Sequence, residues 1–216
     1  MTIKFLGHAT FLITSSDEVR IITDPYEPGG FGGQIAYAPI ADAADIVTVS
    51  HDHADHNYVR GVPGNPVVVT APGQVRGINF EVVESYHDEA RGSKRGGNRI
   101  FCFTVDGMRV CHLGDLGAPL TADQVSALGK VDVLLLPVGG FFTIDAAQAT
   151  ALAAQLNAPV VIPMHFKIPK VGFPIAPVED FLTAKGNVDA VGGSELSLSP
   201  EDLGPGQRLV VLEPAN

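Results

Sequence analysis

The stretch VTVSHDHADHNY, Val47 to Tyr58, places three histidines and two aspartates within six consecutive residues, His51 to His56. The β-branched, apolar run DIVTVS leads directly into it. Such a run predicts a buried strand. The loop after a strand is a rigid platform from which side chains can converge. Imidazole and carboxylate are the usual donors for zinc, iron and manganese in mixed nitrogen and oxygen sites. His51 and His53 lie two residues apart and point the same way if the chain stays extended. Asp55 and His56 can then serve a second ion as the backbone turns. For one isolated histidine a solvated polar turn would be the better reading. The form H-x-H-x-D-H has no structural reason to cluster behind an apolar strand.

Outward from the cluster, the first third reads as short strands. TIKFLG, TFLIT and VRIITD are separated by Gly or Ser-Ser-Asp turns. The Gly- and Pro-rich loop PYEPGGFGGQIAYAP follows, with Phe31 and Tyr37 in it. A flap over a site and a surface crossover with tucked aromatics both fit that composition. Downstream, PVVVTA and INFEVVES read as strands, and the polar loop YHDEARGSKRGGNR comes next. Asp106-Gly107, between IFCFTV and MRVCHLG, predicts a hairpin.

The pattern then alternates. TADQVSALGK predicts a helix capped by Thr121 and closed near Gly129. VDVLLLPVGG predicts a strand covered on both faces. TIDAAQATALAAQLN predicts an Ala-rich helix capped by Thr143 or Asp145, and PVVIPMHF a strand ending at His165. The tail offers a short helix near PVEDFLTAK and a strand near QRLVVLE. No linker or short-period repeat interrupts the chain, so residues 1–216 are expected to form a single domain.

The 216 residues suffice for a sizeable core, and a formal net charge of -10 limits the partners. It argues against a nucleic-acid groove, which needs clustered Lys and Arg, and against an anionic membrane surface. No apolar run is long enough to span a bilayer, and the N-terminus lacks the layout of a signal peptide. The expectation is a soluble, cytoplasmic protein acting on a small molecule, with no nucleic-acid or membrane partner. Cys102 and Cys111 form no disulfide framework, and as free thiols in strands they would be small buried hydrophobes.

HDHADH resembles the signature of the metallo-β-lactamase superfamily, and further landmarks follow in order. SYHDEARG precedes the hairpin, HLGD closes it, PMHFK ends a late strand, and IITDP ends an early one. The opening FLGHATFLI is similar to that of a short metal-dependent hydrolase branch, which includes ascorbate-6-phosphate lactonase-like proteins. The resemblance implies an α+β fold, a four-layer αββα sandwich of two mixed sheets flanked by helices, with two metal sites at one edge. His51, His53 and His87 would hold one ion, Asp55, His56 and His165 the other, and Asp115 would bridge them. His112, three residues before Asp115, competes with His87 as the third ligand; otherwise it would support a ligand or sit in the core. Asp24 would orient a ligand histidine or accept in an Asp-Pro turn. His8 would be a buried structural histidine or lie near the metals.

The implied chemistry is hydrolysis by a metal-bridging hydroxide, with Asp55 orienting it and taking its proton, and His8 or His112 as candidate acids. Zinc is the first expectation for the two divalent ions; manganese, iron and nickel suit the same donors. The substrate would be a small anionic ester, lactone or phosphodiester. Arg91, Lys94 and Arg95 among glycines, and Lys167 beyond His165, are candidate anion contacts. The alternatives are a non-catalytic binding protein on this fold and a di-iron oxidoreductase. The flavodiiron proteins that represent the latter carry H-x-E-x-D rather than H-x-H-x-D-H.

Overall fold

The computed structural model describes residues 1–183 and 185–215. In chain order the strands are β1 (Thr2–Gly7), β2 (Thr10–Thr14), β3 (Arg20–Thr23), β4 (Ile46–Thr48), β5 (Val67–Val69), β6 (Gly73–Val75) and β7 (Ile78–Tyr86). They continue as β8 (Gly97–Val105), β9 (Met108–His112), β10 (Val133–Pro137), β11 (Val160–Met164), β12 (Val188–Ala190), β13 (Glu195–Ser197) and β14 (Arg208–Val211). The helical segments are one irregular turn, α1 (Gly30–Gly33), then α2 (Ala122–Leu128), α3 (Ala146–Leu156) and α4 (Val178–Leu182).

Two mixed sheets result, ordered β13-β1-β2-β3-β4-β5 and β12-β14-β11-β10-β9-β8-β7-β6. The period-2 alternation of the early strands decides how they pack. Ile3, Phe5, Phe11, Ile13, Ile21 and Ile46 join the large core shared with the second sheet. Their neighbours Leu6, Leu12, Ile22 and Val47 belong to a second core on the opposite face. That outer core is covered by Tyr26, Ile35, Tyr37, Ile40, Phe173 and Ile175, which come from irregular segments rather than long helices. The helices of the expected sandwich are therefore few. Both α2 and α3 contact the eight-stranded sheet.

Local signals behave as their chemistry dictates. All five residues of β10 are buried, and it pairs in parallel with β9 and β11. Asp106 and Gly107 turn the β8–β9 hairpin with φ of 50° and 77°, as a type I′ turn requires. Thr121 and Asp145 each close a capping box, with Gln124 and Gln148. The tail helix covers Val178–Leu182; Ala184 within PVEDFLTAK lies outside the described residues. The free-thiol expectation is overturned: Cys102 and Cys111 are joined in a disulfide. The hairpin register sets them directly opposite each other, with 4.4 Å between Cα atoms.

Candidate metal centre

The strand ends of both sheets meet at one edge. The smaller sheet contributes His8 after β1, Asp24 after β3 and the His51–His56 turn after β4. The larger sheet contributes His87 after β7, Asp115 after β9 and His165 after β11. Backbone bonds tie the two sets together: Arg99 N donates to Ser50 O at 3.1 Å, and His165 N to His8 O at 2.8 Å. His8, Asp24 and His165 all adopt left-handed backbone, with φ of 56°, 39° and 52°. Such conformations are costly for non-glycine residues and concentrate at functional sites. The HDHADH segment does not stay extended; amides of His56 and Asn57 both donate to His53 O at 2.9 Å.

This backbone gathers the side chains into two neighbouring groups. His51, His53 and His87 bring ligand atoms within 4.8 Å of one another, and so do His8, Asp55, His56 and His165. Asp115 lies between them. Its Oδ2 is 3.1 Å from His56 Nε2, 3.3 Å from both His87 Nε2 and His165 Nε2, and 3.9 Å from His51 Nε2. All but His53 are buried, and His53 is half-buried.

A layer beneath fixes these rings. Asp24 accepts from the Ser50 amide at 2.8 Å and from its hydroxyl, and lies 2.9 Å from His56 Nδ1. Ser50 Oγ is 2.9 Å from His51 Nδ1, so one buried carboxylate orients two histidines. Asn98 does the same for Asp115: its Oδ1 accepts from the Asp115 amide at 2.9 Å, while its Nδ2 donates to Ser85 and Leu113. A Cβ at Gly114 would run into Asn98 and Ser50, so the glycine of HLGD lets the two sheets close here. Nothing in the sequence marks Ser50 or Asn98; they carry no ligand chemistry of their own.

The ionisation pattern suits a cation. Burial lowers His51 to about 3, helped by His56, and lowers His87 too, so both rings are neutral with lone pairs to offer. Burial would raise the Asp115 carboxyl, but His165 and His56 outweigh it and hold it well below the usual range. Asp55 is lowered likewise by His56 and His8. Burial would lower His56, yet Asp115 and Asp55 lift it well above an ordinary imidazole. A proton on His56 thus stands where carboxylate charge calls for a cation. Meanwhile His51 Nε2, His56 Nε2, Asp55 Oδ1 and Asp115 Oδ1 are buried without a hydrogen bond among the described residues. Buried polar atoms are rarely left so, and bound metal would satisfy all four. The donor set fits divalent ions.

Residues 2–165 match the β-lactamase superfamily domain. The chain belongs to the metallo-β-lactamase superfamily. A UPF0173 metal-dependent hydrolase from Methanoculleus marisnigri is 32% identical over 191 residues, covering 77% of this chain and 81% of its own length. A solved Thermotoga maritima structure, assigned to the Zn-dependent hydrolases of the superfamily, is 38% identical with a TM-score of 0.80. The match covers 98% of this chain and 97% of that one. A metallo hydrolase from Ignicoccus hospitalis shares the fold at 22% identity and a TM-score of 0.64, over 100% of this chain and 96% of its own. By this kinship the chain is a metal-dependent hydrolase of that superfamily.

The metallo-β-lactamase edge opens into a cleft of about 290 Å³ with His53, Asp55, His87, Asp115 and His165 in its lining. Of the four basic candidates only Arg95 lines it. Arg91 and Lys94 are exposed on the same loop, and Lys94 borders a smaller neighbouring cavity. Lys167 does not line the cleft; its Nζ donates to Phe173 O at 2.7 Å, which ties the 167–173 segment to itself. His112 is corrected as a ligand or acid. Its Nε2 donates to Ala9 O at 2.8 Å and its Nδ1 accepts from Gly114 N at 3.2 Å, so backbone occupies both nitrogens. It lies 3.9 Å from Asp24 and supports no ligand directly. His8, by contrast, joins the centre, with Nε2 3.1 Å from Asp55 Oδ2. The glycine-rich loop around α1 does lie over the site: Phe31 and Gln34 line the cleft, while Tyr37 is buried and accepts from the His8 amide at 3.1 Å.

Proposed function

We propose that this chain is a dinuclear hydrolase of a small anionic ester, lactone or phosphodiester. The observation that carries the reading is Asp115 Oδ2 set among four histidine Nε2 atoms that belong to two separate groups. His51, His53 and His87 would hold one ion, and Asp55, His56 and His165 the other, with Asp115 shared. Divalent ions there, zinc first, would supply a water ionised near neutral pH and charge to balance a developing oxyanion.

The chain's own residues do the rest. Asp55 has Oδ2 3.1 Å from His8 Nε2 and an Oδ1 without a hydrogen bond among the described residues, so His8 would steady the carboxylate as it holds an ion and orients the attacking water. Burial, with His165 beside it, lowers His8 to about 4. A neutral His8 donates Nε2–H to Asp55 and acts as a positioning group. The net charge of -10 favours a small substrate over a polyanion.

The test is a panel of aryl esters, lactones and bis-aryl phosphodiesters, assayed before and after chelation. Turnover of at least one class that is lost on chelation and restored by metal supports the reading. A metal-loaded protein inert towards every class would overturn it.

A further inference from the structure

The cleft above the centre has an uneven chemistry. Three phenylalanines form one wall. Phe31 and Phe142 each meet Phe173 edge to face, with ring centroids 5.4 Å apart and interplanar angles of 76° and 73°. Phe173 is buried, whereas Phe31 lines the cleft and is 46% exposed. Such edge-to-face sets leave ring faces free for a further flat group.

The other feature is a single cation. Arg95 is half-buried, and its guanidinium carbon lies 5.3 Å from the Phe142 centroid. It makes no ion pair with any carboxylate among the described residues. The loop that carries it is held from within. Asp88 accepts four backbone amides, from Ala90 at 2.8 Å, Gly92 at 3.0 Å, Lys94 at 3.0 Å and Arg95 at 2.7 Å. The basic loop is thus a preorganised turn, and Arg95 is fixed at the cleft while Arg91 and Lys94 point elsewhere.

We infer that the substrate is a flat, aromatic body carrying one carboxylate, with the ring against Phe31, Phe142 and Phe173 and the carboxylate on Arg95. The volume of about 290 Å³ is at the small end for ligand sites and suits one ring with a short chain. A planar guanidinium fork matches a carboxylate. Arg95 is the one Arg or Lys side chain in the lining of the cleft, so it offers a single fork, enough for one carboxylate. This specificity rests on the hydrolase reading for the reaction, but binding can be measured without turnover.

The experiment is calorimetry on the metal-loaded protein with three non-hydrolysable probes: 4-phenylbutyrate, 4-phenylbutanamide and hexanoate. Wild type is expected to bind 4-phenylbutyrate at least about tenfold more tightly than either other probe. Arg95→Gln should bring the acid-to-amide ratio to within about twofold, and Arg95→Lys should restore part of it. Arg91→Gln, which removes the same charge outside the cleft, should leave the ratio as in wild type. An acid preference that survives Arg95→Gln would mean the metals alone hold the carboxylate and would overturn the anchor. Equal affinity for hexanoate and 4-phenylbutyrate would overturn the aromatic body. If the ligand preferences hold while no ester is ever cleaved, the hydrolase reading fails alone.

Discussion

Asp88 and Asp115 are both buried carboxylates, 27 positions apart and lining neighbouring cavities, and their surroundings could hardly differ more. Asp88 is saturated: both oxygens accept backbone amides of its own loop. Asp115 has one oxygen facing four imidazoles and the other without a hydrogen bond among the described residues. A satisfied carboxylate builds backbone; an unsatisfied one among histidines suits a cation. The same contrast separates His112, with both nitrogens on backbone, from His87, whose Nε2 faces Asp115.

Substitutions should reproduce the contrast. The largest effect is expected from Asp115→Asn, which removes the shared charge: hydrolysis should fall by roughly three orders of magnitude, about 4 kcal/mol of transition-state stabilisation. Next, His87→Ala should lose metal, whereas His112→Ala should keep it. The latter instead exposes a stability cost of about 1–3 kcal/mol in urea unfolding, because Ala9 O and Gly114 N lose their partner. Equal metal loss in both would erase the distinction. Asp24→Asn comes third. In the two-ion assignment it is not a ligand, but it orients His56 and, through Ser50, His51, so metal affinity measured by competition with a chelator should weaken about 10–100-fold.

The centre was largely legible because its chemistry is local or repeats a known order. HDHADH, the Asp106-Gly107 turn, the helix caps and the all-apolar β10 each carry their meaning within a few residues. Other features depend on what the fold brings from far away. Asp88 reads as one more polar residue until its loop wraps around it. Asn98 acquires its role only where β8 passes Leu113 and Asp115. Lys167 reads as an anion contact, and only the fold shows its Nζ on the Phe173 carbonyl and its side chain off the cleft lining. Strands β12 and β13 are three residues each and half-exposed, so they show no periodicity to read. The cysteine pair required the hairpin register, not merely the hairpin.

The smallest effect concerns Asp88 and depends on pH. Desolvation would raise its carboxyl, but amides from Arg95, Lys94, Ala90 and Gly92 hold it below its ordinary value. A depressed folded-state value means the stabilisation is full above the unfolded carboxylate pKa of about 4 and fades as pH falls through the folded one. The melting temperature of Asp88→Asn should therefore lie below wild type at pH 7 and approach it towards pH 3. A constant gap across that window would mean that the carboxylate charge does not hold the loop.

The most direct measurement is metal content per chain by elemental analysis, for wild type and Asp115→Asn, after reconstitution and desalting. About two ions in wild type, with a clear loss in the variant, is the result expected of a shared carboxylate between two histidine groups. Wild type that retains no metal, or a variant that retains the full complement, would contradict it.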